Sequence, residues 1–422
     1  MNNLINEAKK RGIELEVVQN KNLFREINVF NTEVKNYELS NITNYEIKVI
    51  YKGKSFVIKT EDINDLETIF NDINSVVNLL DNCDSDVLAS KSIVESDRNT
   101  CDIDAVKIKN DLIELTKIND EVITSTEIIV NYNFLEEHIM NTNSIELKES
   151  NSNIMIYVSL VANKDGVVLS SDDYYYTKNY SLEELKKFIS KIKQDVISKF
   201  NYKKIESGKY KVLFDHNCMN DILATFVSSF SANVINKGLS VLNDKFDKKV
   251  FSDKVSIVED PKNNNYPGKK LFDKEGTETS YKVVIDKGMF ITKLYNNKEA
   301  IKDRTSSTGN ADGVHNMYLV SGDKSFEDLM NVMNTGILLT ELSGLHCGVN
   351  QLTGDMSLEC KGYLVKDGVR KDYLNEIVLS TNLFEMLDNV LFIGNDLVFK
   401  STSVGSPSVL CDNIMIVGGK NE

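Results

Sequence analysis

Leu4, Ile5 and Ala8 share one face of a short helical stretch over residues 4–11 that stops at Gly12, after which Ile13, Leu15 and Val17 alternate as in a strand. The strand pattern returns from Glu46 to Lys59 with a turn near Gly53, which predicts a β-hairpin. Ile63, Leu66, Ile69, Phe70, Ile73, Val76, Val77 and Leu80 recur at three- and four-residue spacing, so this stretch should be a long helix with one broad buried stripe. The acidic, Ser-rich run from Asp81 to Asp104 carries no such period and reads as a linker or surface excursion. Another helical stretch follows around Ala105–Lys117.

From Ser144 to Tyr176 strand formers dominate, with turn signals at Glu149–Asn153 and at Asp165–Gly166, so two or more antiparallel strands are expected. Ser181 and Glu184 have capping-box spacing and open a helix whose buried face is Leu182, Leu185, Phe188, Ile189, Ile192 and Val196. A polar run over 201–208 precedes a strand at Tyr210–Phe214 and a helical segment over about 217–234. Beyond it come a loop holding Pro261 and Pro267 and two hairpins turning at Lys287–Gly288 and Asp367–Gly368. The expected class is α+β: an N-terminal α/β region with antiparallel strands and long helices, then a strand-rich, mixed-sheet C-terminal domain. At 422 residues the chain exceeds the roughly 250–300 at which one core stops growing. Boundaries at 1–203 and 204–422 follow, with a further subdivision near 82–104 as an option.

Composition narrows the functional classes. The formal charge of −14 opposes a phosphate backbone, so no direct nucleic-acid binding is expected. The N-terminus has no apolar signal region, and the longest unbroken apolar run, Ile154–Val158, is far too short to span a bilayer, which points to a cytoplasmic protein without membrane segments. Cysteines at 83, 101, 218, 347, 360 and 411 form no C-x-x-C pair, so reduced thiols fit better than a zinc ribbon or a disulfide scaffold.

No phosphate-binding glycine loop and no H-E-x-x-H zinc helix occurs, and His138, His216, His315 and His346 are widely spaced. His346 and Cys347 are adjacent, which raises a cysteine-nucleophile reading; on a strand, however, neighbours point to opposite faces, which argues against a working pair. The densest cluster of small and polar residues runs from Glu341 through Gly344, His346, Cys347, Gly348 and Asn350 to Thr353-Gly354-Asp355-Met356-Ser357. Such residues suit turns that approach a ligand closely, and equally suit ordinary tight turns between strands.

That run, together with Lys366-Asp367-Gly368, Asn375-Glu376-Ile377, Asn382-Leu383 and Ile393-Gly394-Asn395-Asp396-Leu397, resembles the C-terminal signature of the TldD/PmbA family of zinc peptidases. The segment Gly309–Asn316, ending in His-Asn, the Gly405-Ser406-Pro407-Ser408 turn and the closing 412–419 strand resemble the same family, so the likeness covers about half the chain from Lys209 to Gly419. The catalytic branch carries His-Glu-x-x-x-His on a helix, with a later Cys completing the zinc site. When Gly238-Leu239-Ser240-Val241 is laid on the family's Gly-x-Ser-Val, those three positions fall at Ala224, Thr225 and Ser229, none able to ligate zinc or act as base. No Cys loop follows Asn395-Asp396, and Cys411 lies beyond it.

The resemblance is therefore to the PmbA branch, also called TldE, and to proteins named as modulators of DNA gyrase. It implies a non-catalytic subunit with no catalytic residue, metal site or cofactor of its own, zinc being held by a TldD-like catalytic partner in a heterodimer, with a homodimer as the other option. Unfolded peptides are the implied substrates, and His315, Asn316, His346, Asp355 and Ser357 are the implied cleft residues. Two rivals stay open: a self-sufficient hydrolase using Cys347 or an unrecognised metal site, and a purely structural or regulatory binding protein.

Overall fold

The computed structural model describes residues 1–80, 87–88, 103–117 and 120–419. The linker expected over 81–104 thus lies almost wholly outside the described residues, as do Cys83 and Cys101. The first half contains α1 (Asn2–Lys10), β1 (Glu14–Phe30), β2 (Glu33–Tyr51), β3 (Lys54–Thr60), α2 (Leu66–Leu79), α3 (Ala105–Leu115), β4 (Ile123–Asn141), β5 (Glu146–Lys164), β6 (Val167–Thr177) and α4 (Leu182–Ser198). The second half opens with β7 (Tyr202–Lys203), β8 (Gly208–Phe214), α5 (His216–Phe226), α6 (Ala232–Asn236), β9 (Ile257–Glu259), β10 (Lys282–Asp286), β11 (Met289–Phe290), α7 (Asn297–Lys302), β12 (Met317–Leu319) and α8 (Phe326–Met333). It closes with β13 (Gly336–Ser343), α9 (Leu345–Gly348), β14 (Asp355–Lys366), β15 (Val369–Asn382), α10 (Leu383–Asp388), β16 (Val390–Ile393), β17 (Val398–Phe399), β18 (Val404–Ser406) and β19 (Val409–Val417). The class is α+β, as expected.

The first sheet is antiparallel throughout, in the order β3-β2-β1-β4-β5-β6. Period-two alternation gives it one apolar face. At one end of that face Leu15, Val17, Ile47 and Val49 pack under α1 and α2. At the other, Ile27, Val29, Ile128, Val130, Ile154 and Ile156 pack with Ile108 and Leu112 of α3 and Leu185, Ile192 and Val196 of α4. Each such side chain, buried in full, contributes about 1.5–3 kcal/mol. On the opposite face Val18, Ile139 and Leu147 meet Leu271 and Phe272 from the second half.

In the second half β19, β8, β13, β14 and β15 pair in succession, and a further β15–β19 pairing closes them into a ring. Only β8–β13 is parallel within that ring. A second sheet, β11-β10-β9-β12-β18-β17, is also mixed, through the parallel pair β12–β18. The expected mixed sheets are present.

Four hairpin turns expected from Gly in second place all form with both central residues at positive φ: Lys52–Gly53, Asp165–Gly166, Lys287–Gly288 and Asp367–Gly368. A fifth, Asn31–Thr32 (φ 45° and 72°), has no glycine and gives no sequence signal. Tertiary contacts hold it instead: Thr126 N–H donates to Asn31 Oδ1 at 2.8 Å and Thr32 N–H to Thr116 Oγ1 at 3.1 Å. The turn expected at Glu149–Asn153 does not exist, because β5 runs straight through it. The helix expected over 217–234 is interrupted by a 3₁₀ turn at Val227–Phe230. Of the Ser181 capping box, the bond from Glu184 N–H to Ser181 Oγ (3.3 Å) forms.

Glu16, on the covered part of the first sheet's second face, is 2% exposed, and burial pushes its carboxyl up to about 7, with Lys48 pulling the other way. Between the unfolded carboxylate range and pH 7 the folded chain therefore holds a proton that the unfolded chain releases, and stability falls as pH rises through that window. Glu16→Gln should stabilise the protein by about 1–3 kcal/mol at pH 8 and give no advantage at pH 4.5. Urea melts at the two pH values check this, and a pH-independent difference would contradict it.

Candidate functional site

The glycine- and asparagine-rich run singled out in the sequence forms the connection from β13 to β14. Gly344 takes a left-handed conformation (φ 80°) that ends β13 and starts the single turn α9. Asn350 then organises a tight loop, its Oδ1 accepting from Leu352 N–H at 2.9 Å and its backbone bonding to Asp355 and Gly354. Asp355 Oδ2 accepts from Thr353 Oγ1 (2.6 Å) and Oδ1 from Asn382 Nδ2 (2.9 Å). Those two hydrogen bonds hold the Asp355 carboxyl below its usual range. Asn382 also caps α10 through Phe384 N–H at 3.0 Å.

Cys347, Asp355, Ser357, Ser380, Asn382 and Glu385 line an open cavity of about 910 Å³ around this loop. Ser357 and Ser380 are directly opposed across β14 and β15. Gln351, on the same rim, donates from Nε2 to the Thr225 carbonyl at 3.2 Å. The cavity thus abuts the C-terminal end of α5, where the resemblance places the zinc motif.

Those motif positions do not fit a zinc ion. Ala224 offers a methyl group, and Thr225 Oγ1 donates to the Asp221 carbonyl at 2.7 Å. Ser229 is buried in the 3₁₀ turn, its carbonyl accepting from Ser240 Oγ at 2.7 Å. Zinc sites take imidazole, thiolate or carboxylate, and no group of three such side chains is placed to hold a metal among the described residues.

The five residues implied as cleft residues are not brought to one place. Asp355 and Ser357 line the large cavity. His346 is exposed on α9 and does not line that cavity. The His346–Cys347 segment is a helical turn rather than the strand assumed from the sequence, and Cys347 Sγ donates to the Gly344 carbonyl at 3.4 Å instead of facing a base. His315 lines a second cavity and pairs through Nε2 with Asp312 Oδ1 at 3.2 Å. Asn316 is fully buried at φ 48°, accepting from Gly268 N–H at 2.8 Å and donating to the Asp260 carbonyl at 3.3 Å, so it braces a loop.

Three charged groups have contacts that the sequence did not foretell, although Asp396 lies in one of the family motifs. Lys270 Nζ lies 2.8 Å from Glu137 and 3.0 Å from Glu149, at an interface between the two halves. Burial alone would lower the Lys270 pKa, but the two carboxylates outweigh it and raise it. Glu259, fully buried, holds Lys282 at 2.8 Å and both its oxygens accept from Asn310 Nδ2. Asp396 accepts from Ser408 Oγ at 2.6 Å and lies 3.5 Å from His216 Nδ1. Although these are the residue types of a hydrolase triad, the carboxylate stands between serine and histidine, so the imidazole cannot take the serine proton. The carboxyl is held at about 2, its burial being outweighed by bonds from His216 and Ser408.

Residues 207–418 match the model of the PmbA/TldA metallopeptidase C-terminal domain, half of the chain. The chain belongs to the PmbA/TldD family. It is 29% identical over 322 residues to a metalloprotease PmbA homolog of Buchnera aphidicola (subsp. Baizongia pistaciae), covering 73% of this chain and 70% of that one. The Escherichia coli O157:H7 metalloprotease PmbA is 28% identical over 249 residues, 58% of this chain, and the match spans only 55% of its own length. Among solved structures, a candidate modulator of a DNA gyrase from Thermotoga maritima superposes with a TM-score of 0.87 at 26% identity over 99% of both chains. TldE from Thermococcus kodakarensis shares the fold, with a TM-score of 0.85 at 18% identity over 99% of this chain and 100% of that one.

Gly348 ends α9, and a Cβ there would stand 2.3 Å from the Ser357 carbonyl oxygen and 2.9 Å from Leu358 Cδ2. Gly348→Ala should therefore destabilise the fold by about 1–3 kcal/mol, whereas Cys347→Ser, exposed nearby, should stay within about 0.5 kcal/mol. Denaturant melts of both variants test this; equal effects would contradict it.

Proposed function

We propose that this chain is the PmbA/TldE-type subunit of a metallopeptidase complex, contributing part of the cleft for unfolded peptides while a TldD-like partner supplies zinc and the general base. The observation that carries this reading is the meeting of a large polar groove with the end of α5, where Ala224, Thr225 and Ser229 offer no metal ligand. A groove edged by the opposed hydroxyls of Ser357 and Ser380 and by Asp355 and Asn382 suits main-chain groups of an extended segment better than a folded surface.

On this reading the implied cleft residues divide: Asp355 and Ser357 contact peptide, while Asn316 braces the Gly268 loop away from that groove. The division of the chain at 203/204 belongs to the same proposal, as does a cytoplasmic location. An association with DNA gyrase is indirect, through proteolysis, given the charge of −14.

Mixing the purified chain with a TldD-like subunit from the same genome should give cleavage of an unstructured peptide that neither chain performs alone. Changing the partner's motif Glu to Gln should abolish it by at least about a thousandfold. Cleavage by this chain unaided, or cleavage that survives the partner's substitution, would overturn the assignment.

A further inference from the structure

A second cavity, of about 360 Å³, lies where the less covered face of the first sheet meets the Gly268–Lys270 segment and the Asp312–His315 turn. Its floor is made of asparagines. Asn22 on β1, Asn133 on β4 and Asn153 on β5 all line it, and Asn133 and Asn153 are directly opposed in the β4–β5 register. Among the described residues the side chains of these three make no hydrogen bond, and Asn153 Oδ1 is sealed from solvent. Asn131, two residues before Asn133 and so on the same face, also has a sealed and unpartnered Oδ1. A sealed amide oxygen without a partner costs about 1–3 kcal/mol, so the two at Asn131 and Asn153 are retained at the expense of stability.

The chemistry of the lining restricts what could answer these groups. Lys270, the buried ammonium at the cavity wall, is already held by Glu137 and Glu149, with Asp312 3.9 Å away. The lining sets Glu137, Glu149 and Asp312 against Lys269 and Lys270, with His315 paired to Asp312, so no net positive charge is left to draw an anion. Carboxamides, by contrast, both donate and accept without charge, which is the character of the peptide bond itself. Same-face side chains on one strand repeat at about 6.8 Å, the interval at which an extended peptide repeats its own like-facing amides. Asn131 and Asn133 have that spacing along β4.

We propose that this cavity is a peptide main-chain subsite, in which Asn22 and Asn133 exchange hydrogen bonds with the backbone of an extended segment and Asn153 donates to it from its amide nitrogen. It would hold a stretch of dipeptide size, with the chain continuing along β4 past Asn131. The inference rests on the reading of this protein as a handler of unfolded peptides and adds a second holding point to the groove beside α5. It also gives a reason for the straight course of β5 through Glu149–Asn153: the polar residues that imitate a turn in the sequence face a ligand site.

The test uses the full chain and a short unstructured Gly/Ser/Ala peptide carrying a photo-crosslinker, with crosslinks mapped by mass spectrometry. Crosslinks are expected at the second cavity. The double variant Asn133→Leu, Asn153→Leu should reduce them at least about tenfold and leave crosslinks around Asp355 and Ser357 unchanged. Because that variant alters the sheet, the same peptide methylated at alternate backbone nitrogens is the second arm, and on the unaltered protein it should lose the second-cavity crosslinks to the same degree. Absence of crosslinks there, or their persistence in either arm, would overturn the subsite while leaving the groove beside α5 to be judged by the reconstituted activity. Labelling by a free dipeptide amide without labelling by the longer peptide would likewise overturn it.

Discussion

Lys270 is buried against the first sheet at a point where two carboxylates stand side by side. Glu137 and Glu149 are directly opposed on β4 and β5, an arrangement that repels unless a cation lies between them. An ammonium buried without partners would likewise cost several kcal/mol. The closest partners of each charge here come from the other half, so the two halves complete each other. Leu271 N–H adds a bond to Glu149 Oε2 at 2.6 Å, and Leu271 and Phe272 then fill the apolar pocket beside it. With the segment fixed there, Gly268 lies against Thr402 and Asn316 so closely that no Cβ would fit.

A second set of contacts works the same way at the far end of the interface. α4 packs its apolar face on the first sheet and offers Asp195 and Ser198 to the ring, where Tyr363 and Arg370 meet them. Asp173 of β6 is gripped by Lys191 and Lys400, whose charges outweigh burial and hold its carboxyl at about 2. The polar chemistry between the halves is thus largely settled internally.

Much of this was legible in the sequence where local rules decide the outcome. Hairpins with Gly in the second turn position were, because a left-handed pair of residues needs little from outside. The turn at Asn31–Thr32 was not, since contacts from Thr116 and Thr126 make it. Glu149–Asn153 misled for the opposite reason, as polar residues there answer a buried lysine and a cavity rather than solvent. The α5 region was read as one helix because apolar spacing continues through Val227–Phe230, although the chain tightens into a 3₁₀ turn there. At the site, the run from Glu341 to Ser357 could be seen as one unit because it is one loop. His315 and Asn316 could not be placed by sequence, since folding sets them beside the Gly268 segment and not at the β13–β14 loop. Glu259, Lys270 and Asp396 acquire meaning only through partners more than ten residues away.

The proposed division of labour rests on a polar groove that abuts the end of α5, where Ala224, Thr225 and Ser229 offer no metal ligand. The most direct measurement is the zinc content of the purified chain after dialysis, by elemental analysis, with a TldD-like subunit treated identically. The expected result is about one zinc per TldD-like chain and less than about a tenth of that in this one. About one zinc per chain here would contradict the division, and would mean that a ligand set outside Ala224, Thr225 and Ser229 binds the metal.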